Sequence, residues 1–200
     1  MRIIRVGLEA VLVEVTDTAE ATALYAEARR RAVEAVDIVP AAQTVLFSGV
    51  PDVDALVASL AGWSLDAPSS EDGPVVEVPT RYDGPDLEAV ARLWEMTTAE
   101  VVRTHTGTEM VVAFCGFAPG FAYCTGLPER LSVPRLDTPR TRVPVGAVGL
   151  AGSFTGVYPT ASPGGWQLLG RTDLTLWDPS RPEPATLSPG TRVRFVEVGR

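Results

Sequence analysis

Short runs of β-branched residues alternate with two helical patterns over the first part of the chain. Asp17 lies three residues before Glu20, a spacing typical of a helix N-terminus, and Asp52 opens a second helical run that stops at Gly62. The patterns predict strands over 3–6, 8–15, 37–40 and 44–50 and helices over 18–36 and 52–61. This order predicts a small α+β unit.

A polar segment follows this unit. Residues 64–73 are rich in proline, serine, glycine and acidic residues, and we predict that they form a linker. Residues 75–79 are predicted to form a strand at the transition between the two halves of the chain. Two short helices are predicted next, over 85–96 and from Thr97 to about His105.

The pattern changes from residue 110 onward, where glycine and proline become frequent and turn signals recur roughly every 8–12 residues. Such spacing is typical of a β-barrel or a β-sandwich. Strands are predicted over 110–114, 145–150, 166–170, 174–177 and 192–198. The chain as a whole is therefore predicted to belong to the α+β class.

Composition narrows the possible functions. The 200 residues include 46% hydrophobic residues and carry a net charge of −8, which favours a folded protein and argues against nucleic acid as the main partner. No apolar run is long enough to span a membrane, and we expect no signal peptide, because the N-terminus runs directly into a strand pattern. Two cysteines nine residues apart and a single histidine give no metal-binding or redox pattern, so we expect a reducing, cytoplasmic location.

Residues 114–126 are the most distinctive stretch, because aromatic residues alternate there with glycine and proline. Glycine allows backbone conformations that other residues rarely adopt, and proline restricts them. The aromatic residues either fill the core or form the floor of a pocket. The candidate binding residues of this stretch are Gly116, Phe117, Pro119, Gly120, Phe121 and Tyr123.

Two further segments carry candidate chemistry. Arg135, Arg140 and Arg142 are interleaved with prolines, and arginine binds carboxylate or phosphate in a bidentate manner; the alternative is that they form surface salt bridges. The second segment is 162–171. Its adjacent glycines could offer N–H groups to an anion and its tryptophan could stack on a flat group; the alternative is a tight hairpin with a core tryptophan. Its candidate residues are Gly164, Gly165, Trp166, Gln167 and Arg171.

His105 is the one histidine of the chain and hence its ordinary general base near neutral pH. It is predicted at a helix C-terminus, where the helix dipole favours the protonated ring. It is either an acid/base group or a residue that bonds the carbonyl groups of its own helix end. A phosphate-binding GxxxxGK[ST] motif is absent from the sequence, so a complete ATP site on this chain is not expected.

Six ordered motifs give the chain a resemblance to a known family. They are His105, 116–123, 138–144, 146–152, 155–159 and 162–172. The chain resembles the B-subunit family of ATP-dependent bacterial 5-oxoprolinases, whose members are also labelled allophanate hydrolase subunit 1, carboxyltransferase-domain subunit or sporulation-kinase inhibitor. Cys115 and Ala122 stand where many relatives have leucine and proline.

The resemblance implies an N-terminal α+β domain over residues 1–80 and a cyclophilin-like β-barrel over residues 81–200. It also implies a non-autonomous enzyme component that works with a C subunit, itself cyclophilin-like, and with an A subunit. Their shared activity is the ATP-driven hydrolysis of a small cyclic amide, 5-oxoproline, to glutamate. ATP is then a co-substrate of the assembled complex, and no metal site is expected in this chain.

Within this family, His105 and Arg142 would be the catalytic candidates, and Arg140 and Arg171 would hold carboxylate or phosphate. Two other functions remain open. One is a component of a urea-type carboxyltransferase, which would need biotin on a partner. The other is a regulatory inhibitor of a histidine kinase, which would need a docking face rather than a pocket.

Overall fold

The computed structural model describes residues 1–65 and 75–199, and the chain divides into two units, Met1–Glu71 and Asp72–Arg200. Apart from its first two residues, the predicted linker over 64–73 lies outside the described residues. The resemblance implies a domain boundary after residue 80, and this division lies earlier in the chain. The reason is that strand Val75–Thr80 pairs in parallel, along its whole length, with strand Arg192–Glu197 of the second unit.

The first unit contains a four-stranded antiparallel sheet and two helices. Its strands are β1 (Arg2–Val6), β2 (Ala10–Glu14), β3 (Asp37–Pro40) and β4 (Thr44–Ser48), in the order β1-β2-β4-β3, and its helices are α1 (Thr18–Arg30) and α2 (Val53–Leu60). Alternate residues of β2 and β4 are buried, as expected for strands with one face on a core. That face packs with buried residues of both helices.

Helix α1 ends at Arg30, whereas the sequence predicted a helix to residue 36. Ala32 adopts φ 49°, and the Val33 N–H donates to the Ala28 carbonyl oxygen at 3.1 Å, which closes the helix end. Val36 then donates its N–H to the last residue of β4 at 2.9 Å. The residues after Arg30 therefore lead into the sheet instead of extending the helix.

The second unit is built on a seven-stranded sheet that is nearly closed into a barrel. Its strands are β5 (Val75–Thr80), β6 (Met110–Cys115), β7 (Ala122–Thr125), β9 (Ala147–Ala151), β10 (Phe154–Val157), β12 (Gln167–Arg171) and β13 (Arg192–Glu197), in the order β12-β9-β10-β7-β6-β13-β5; β8 (Arg140–Val143) pairs separately with β11 (Ser162–Gly164). Helices α3 (Leu87–Leu93) and α4 (Thr98–Gly107) and a short 3-10 turn (Glu129–Leu131) complete it. The predicted α+β class with a C-terminal barrel is confirmed.

A close backbone contact joins the two ends of this sheet. Arg81, which follows β5, and Arg171 of β12 exchange two hydrogen bonds of 2.8 and 2.9 Å. The N–H groups of Gly84 and Asp86 then donate to carbonyl oxygens of β12 at 3.0 and 3.1 Å. A β-carbon on Gly170 would overlap the Arg81 carbonyl oxygen, so glycine is required for the two backbones to meet.

The predicted strand over 174–177 is wrong. Trp177 makes one isolated bridge with Ala185, and the Asp178 N–H donates to the Pro184 carbonyl oxygen at 2.9 Å. Several prolines between residues 178 and 185 remove the N–H groups that a longer ladder would need, so this segment pairs with itself. None of the helices in the described ranges is long and apolar enough to cross a membrane.

The contact at Gly170 leads to a prediction. Gly170→Ala should lower the free energy of unfolding by about 2 kcal/mol, because the added methyl group forces apart two hydrogen-bonded backbones. Gly107→Ala is the matched control, since a β-carbon there meets no atom within 4 Å, and it should not destabilise the protein. Urea denaturation followed by circular dichroism measures both. Equal midpoints for Gly170→Ala and the wild type would contradict the role of this contact.

Candidate functional site

The glycine- and aromatic-rich segment forms a tight loop between β6 and β7. The Gly116 N–H donates to the Phe121 carbonyl oxygen at 3.2 Å and closes the loop. Gly120 has φ 82°, and a β-carbon there would lie 2.8 Å from Cβ of Trp177, so this position requires glycine. The loop buries Phe121 and leaves the Phe117 side chain 62% exposed.

Phe121 is the centre of an aromatic cluster in the barrel. Its ring centroid lies 5.0 Å from that of Tyr123, 5.2 Å from Tyr158, 5.3 Å from Trp166 and 5.4 Å from Phe117, with the rings edge-on or tilted. Tyr158 and Trp166 are buried. The sequence left open whether these aromatic residues fill the core or floor a pocket. Trp166 belongs to the core, and Phe117 is the exposed member of the cluster.

Phe117 also has an unusual backbone conformation, with φ 70°. The other non-glycine residues with positive φ among those described are Ala32 and Glu95, and each directly follows the C-cap of a helix, where this conformation is common. Phe117 lies in a loop and has no such explanation. A bulky residue at positive φ costs roughly 1–2 kcal/mol. An aromatic residue that is both strained and exposed is a candidate for direct contact with a ligand.

Arg140 is held in a polar network next to the aromatic cluster. Its guanidinium donates to Oδ1 of Asp86 at 2.7 Å and to the Trp166 carbonyl oxygen at 3.3 Å. Oδ2 of Asp86 accepts the Leu168 N–H at 2.7 Å. Asp86 is the N-cap residue of α3, yet its carboxylate makes no bond to its own helix, because both oxygens are used across the barrel. The carboxylate partner of Arg140 is thus inside the chain.

The other candidate arginines are more exposed. Arg142 follows Arg140 by two residues in β8, so the two lie on the same face of the strand, and Arg142 has no ion-pair partner among the residues that the structure describes. Arg171 pairs with Asp83 at 2.9 Å, with both side chains at least half exposed, which is a surface ion pair of small energy. Arg142 is therefore the arginine of the predicted pair that is open to an anion.

Two buried polar atoms in the barrel lack a partner. Gln167 donates from Nε2 to the Pro134 carbonyl oxygen at 3.2 Å, but its Oε1 is buried without a hydrogen bond. Oγ of Ser162 is also buried and makes no hydrogen bond. Buried polar atoms without partners are rare in folded proteins. Gly164 and Gly165, which lie between these two residues, are half-buried and buried. The segment 162–167 is hence the second part of the candidate site.

His105 lies in the interior of the barrel and is fully buried. Its Nδ1 lies 2.7 Å from the Tyr82 hydroxyl oxygen, its Nε2 lies 3.4 Å from Oγ1 of Thr155, and its ring centroid lies 4.5 Å from that of Phe195. Burial lowers the pKa of His105 to about 3. The expectation that the helix end favours the protonated ring is therefore wrong, because desolvation outweighs the helix dipole.

Burial also governs the two thiols. It raises the pKa of Cys115 to about 11 and that of Cys124 to about 12, so burial disfavours the reactive thiolate form of both. Both cysteines are free. Over the described ranges, no group of three or more histidine, cysteine or carboxylate residues is placed to hold a metal ion.

The structure thus gathers part of the predicted site and separates the rest. It brings together Tyr123, Trp166 and Arg140 with the loop of Gly116, Phe117, Pro119, Gly120 and Phe121. His105, in contrast, lies in the core, and Arg171 lies in a surface ion pair. Sequence reasoning did not select Asp86 or Tyr158. Asp86 lies at the start of the helix predicted over 85–96, and Tyr158 lies within the motif 155–159, but neither pattern reveals a contact between distant segments.

The buried neutral histidine predicts a pH effect. The folded-state pKa of about 3 lies below the usual value of 6.5, so the unfolded chain binds the proton more readily, and stability falls as pH drops below 6.5. Between pH 6.5 and 4.5 this amounts to roughly 2–3 kcal/mol. His105→Gln should show a flatter pH profile in urea denaturation, whatever its stability at pH 7. Parallel profiles for the two proteins would contradict the assignment.

Comparisons with known proteins agree with this architecture. Residues 1–187 match the family model described as carboxyltransferase domain, subdomain C and D. The solved structure of TTHA0988 is 35% identical with a TM-score of 0.76, and the match covers 96% of this chain and 40% of that one. The solved urea carboxylase of Kluyveromyces lactis is 20% identical to this chain, with a TM-score of 0.69. The match covers 98% of this chain and 22% of the carboxylase, and it shows the fold alone.

Curated relatives point in the same direction. The chain is 52% identical over 124 residues to the 5-oxoprolinase B subunit of Escherichia coli O157:H7, a match to 60% of this chain and 57% of the relative. It is 46% identical over 127 residues to the 5-oxoprolinase B subunit of Bacillus subtilis, a match to 62% of this chain and 53% of the relative. The chain thus spans little more than half the length of these relatives. The resemblance found in the sequence is confirmed, and the chain belongs to the carboxyltransferase subdomain C and D family that includes the 5-oxoprolinase B subunits.

Proposed function

We propose that the chain is the B component of an ATP-dependent 5-oxoprolinase and that it acts together with the C and A subunits of that enzyme. The observation that carries this proposal is the 52% identity over 124 residues with a 5-oxoprolinase B subunit. The complex converts 5-oxoproline to glutamate. ATP transfers its terminal phosphoryl group to the lactam oxygen and ADP is released; water then adds to the activated carbon, phosphate leaves, and the C–N bond breaks to give the free amine of glutamate. ATP is bound by the assembled complex in the cytoplasm.

The geometry supports a role in binding the substrate. 5-Oxoproline is a flat ring with a carboxylate and a lactam N–H. The exposed guanidinium of Arg142 is suited to the carboxylate, and the unpaired Oε1 of Gln167 is suited to a lactam N–H. The exposed ring of Phe117 offers an apolar face to the ring of the substrate. Arg140 holds the Trp166 carbonyl and Asp86 in place and so orients the segment that bears Gln167.

His105 does not fit the catalytic role that the sequence suggested for it. The ring is fully buried and held by Tyr82 and Thr155, so it does not face a bound substrate, and its lowered pKa leaves it without the proton of a general acid near pH 7. We propose that the acid/base groups of the reaction come from the A or the C subunit. This chain then binds and orients the cyclic amide, which is in keeping with a component that has no activity by itself.

The first test is turnover by the assembled complex. The purified chain and its C and A partners are mixed with ATP and 5-oxoproline, and ADP and glutamate are measured with each protein omitted in turn. We expect both products only when all three proteins are present. An inert complete mixture would mean that the proposal is wrong. A second candidate, a carboxyltransferase component, is favoured by the description of the matching family, so the same mixture is also given urea and a biotin carrier.

Phe117 gives a sharper test of the site. Phe117→Gly removes the ring and relieves the positive φ, so stability should stay within about 1 kcal/mol of the wild type. The kcat/KM for 5-oxoproline should fall roughly tenfold, as expected for a lost aromatic contact.

Phe117→Ala is the matched control for backbone strain. It loses the same ring but keeps a β-carbon at φ 70°, so it should be about 1 kcal/mol less stable than Phe117→Gly and equally impaired in turnover. Thermal denaturation and steady-state kinetics of the complex measure the two effects. Wild-type turnover in either variant would exclude Phe117 from the binding site.

A further inference from the structure

The N-terminal unit has a cavity of its own, independent of the candidate site in the barrel. Its volume is about 370 Å³, and it is largely open to solvent. It lies between the segment that follows α1 and the first turns of α2. The residues that matter for its chemistry are Arg31, Glu34, Val50, Asp52, Leu56 and Trp63.

Trp63 supplies the first sign of a ligand. Its side chain is buried, with 8% of the residue exposed, and its indole Nε1–H has no hydrogen-bond partner. A tryptophan N–H that is buried normally donates to a protein oxygen or to water. Trp63 lines the cavity, so this unpaired donor belongs to a residue of the cavity wall.

Arg31 adds a positive charge beside the same indole. Its guanidinium carbon lies 5.0 Å from the centre of the Trp63 ring, in a cation–π arrangement. Its Nε–H donates to Glu27, and its two terminal NH₂ groups have no partner within the described part of the chain. Arg31 and Trp63 together therefore present several N–H donors and one positive charge, which is a suitable set for a carboxylate.

The remaining lining residues define the rest of the ligand. Asp52 uses Oδ1 to accept the Ala55 N–H, but neither Oδ2 nor the exposed carboxylate of Glu34 has a partner among the described residues. A ligand with a carboxylate alone would be repelled by these two acidic groups, whereas an ammonium group would be attracted. Val50 and Leu56 give the cavity an apolar wall. We propose that this cavity binds a small α-amino acid with an apolar side chain, its carboxylate on Arg31 and Trp63 and its ammonium group near Asp52 and Glu34.

Calorimetric titration of the full chain tests the proposal with three probes of similar shape. L-leucine has both charged groups, 4-methylpentanoate lacks the ammonium group, and 3-methylbutylamine lacks the carboxylate. We expect saturable binding of leucine and at least tenfold weaker binding of the other two. No saturable heat for leucine, or equal affinity for either single-charge probe, would overturn the proposal.

Two variants link the binding to this cavity. Trp63→Phe removes the N–H donor but keeps an aromatic ring, and Arg31→Gln removes the charge of an exposed residue at the end of α1. Each should weaken leucine binding at least tenfold. Arg29→Gln, on the same helix but outside the cavity lining, is the matched control and should bind leucine as the wild type does. Unchanged affinity in Arg31→Gln would place the binding elsewhere. The test needs no partner protein, so its outcome is separate from that of the proposed 5-oxoprolinase activity.

Discussion

The barrel depends on one backbone contact, the approach of residues 81–86 to strand β12. Four N–H groups are satisfied there, two by exchange between Arg81 and Arg171 and two from Gly84 and Asp86. Unpaired backbone groups at the two ends of a sheet would cost free energy, so this contact both closes the barrel and completes its hydrogen bonding. It requires glycine at 170, because a side chain would occupy the place of a carbonyl oxygen.

The same contact sets the electrostatics of the candidate site. Because residues 81–86 lie along β12, Asp86 reaches both the Leu168 N–H and Arg140, and the charge of Arg140 is compensated inside the chain. Arg142, two residues further along β8, has no such partner in the described ranges. One arginine thus becomes part of the scaffold and its neighbour stays open to an anion. The difference arises from the position of Asp86, which a distant part of the sequence supplies.

The sequence predicts the local elements of this protein better than its contacts. Capping residues such as Asp17, Asp52 and Thr97 each accept a hydrogen bond at the start of a helix, as their spacing indicated. The end of α1 and the loop at 174–177 were missed, because a left-handed residue at Ala32 and a self-paired proline-rich segment leave weak local signals. The ionisation state of His105 could not be predicted, since it depends on burial by Tyr82, Thr155 and Phe195 from three other segments.

Among the described residues, the first unit contains one buried polar atom without a partner and the second unit contains two. In the first unit Arg31 stacks on Trp63, whose N–H is unpaired. In the barrel, Arg140 binds the carbonyl of Trp166, and the next residue is Gln167 with its unpaired Oε1. A buried polar group without a partner costs about 1–3 kcal/mol. Buried polar groups are normally paired in a folded protein, so the unpaired atoms of Trp63 and Gln167 are consistent with the ligand contacts proposed for the two units.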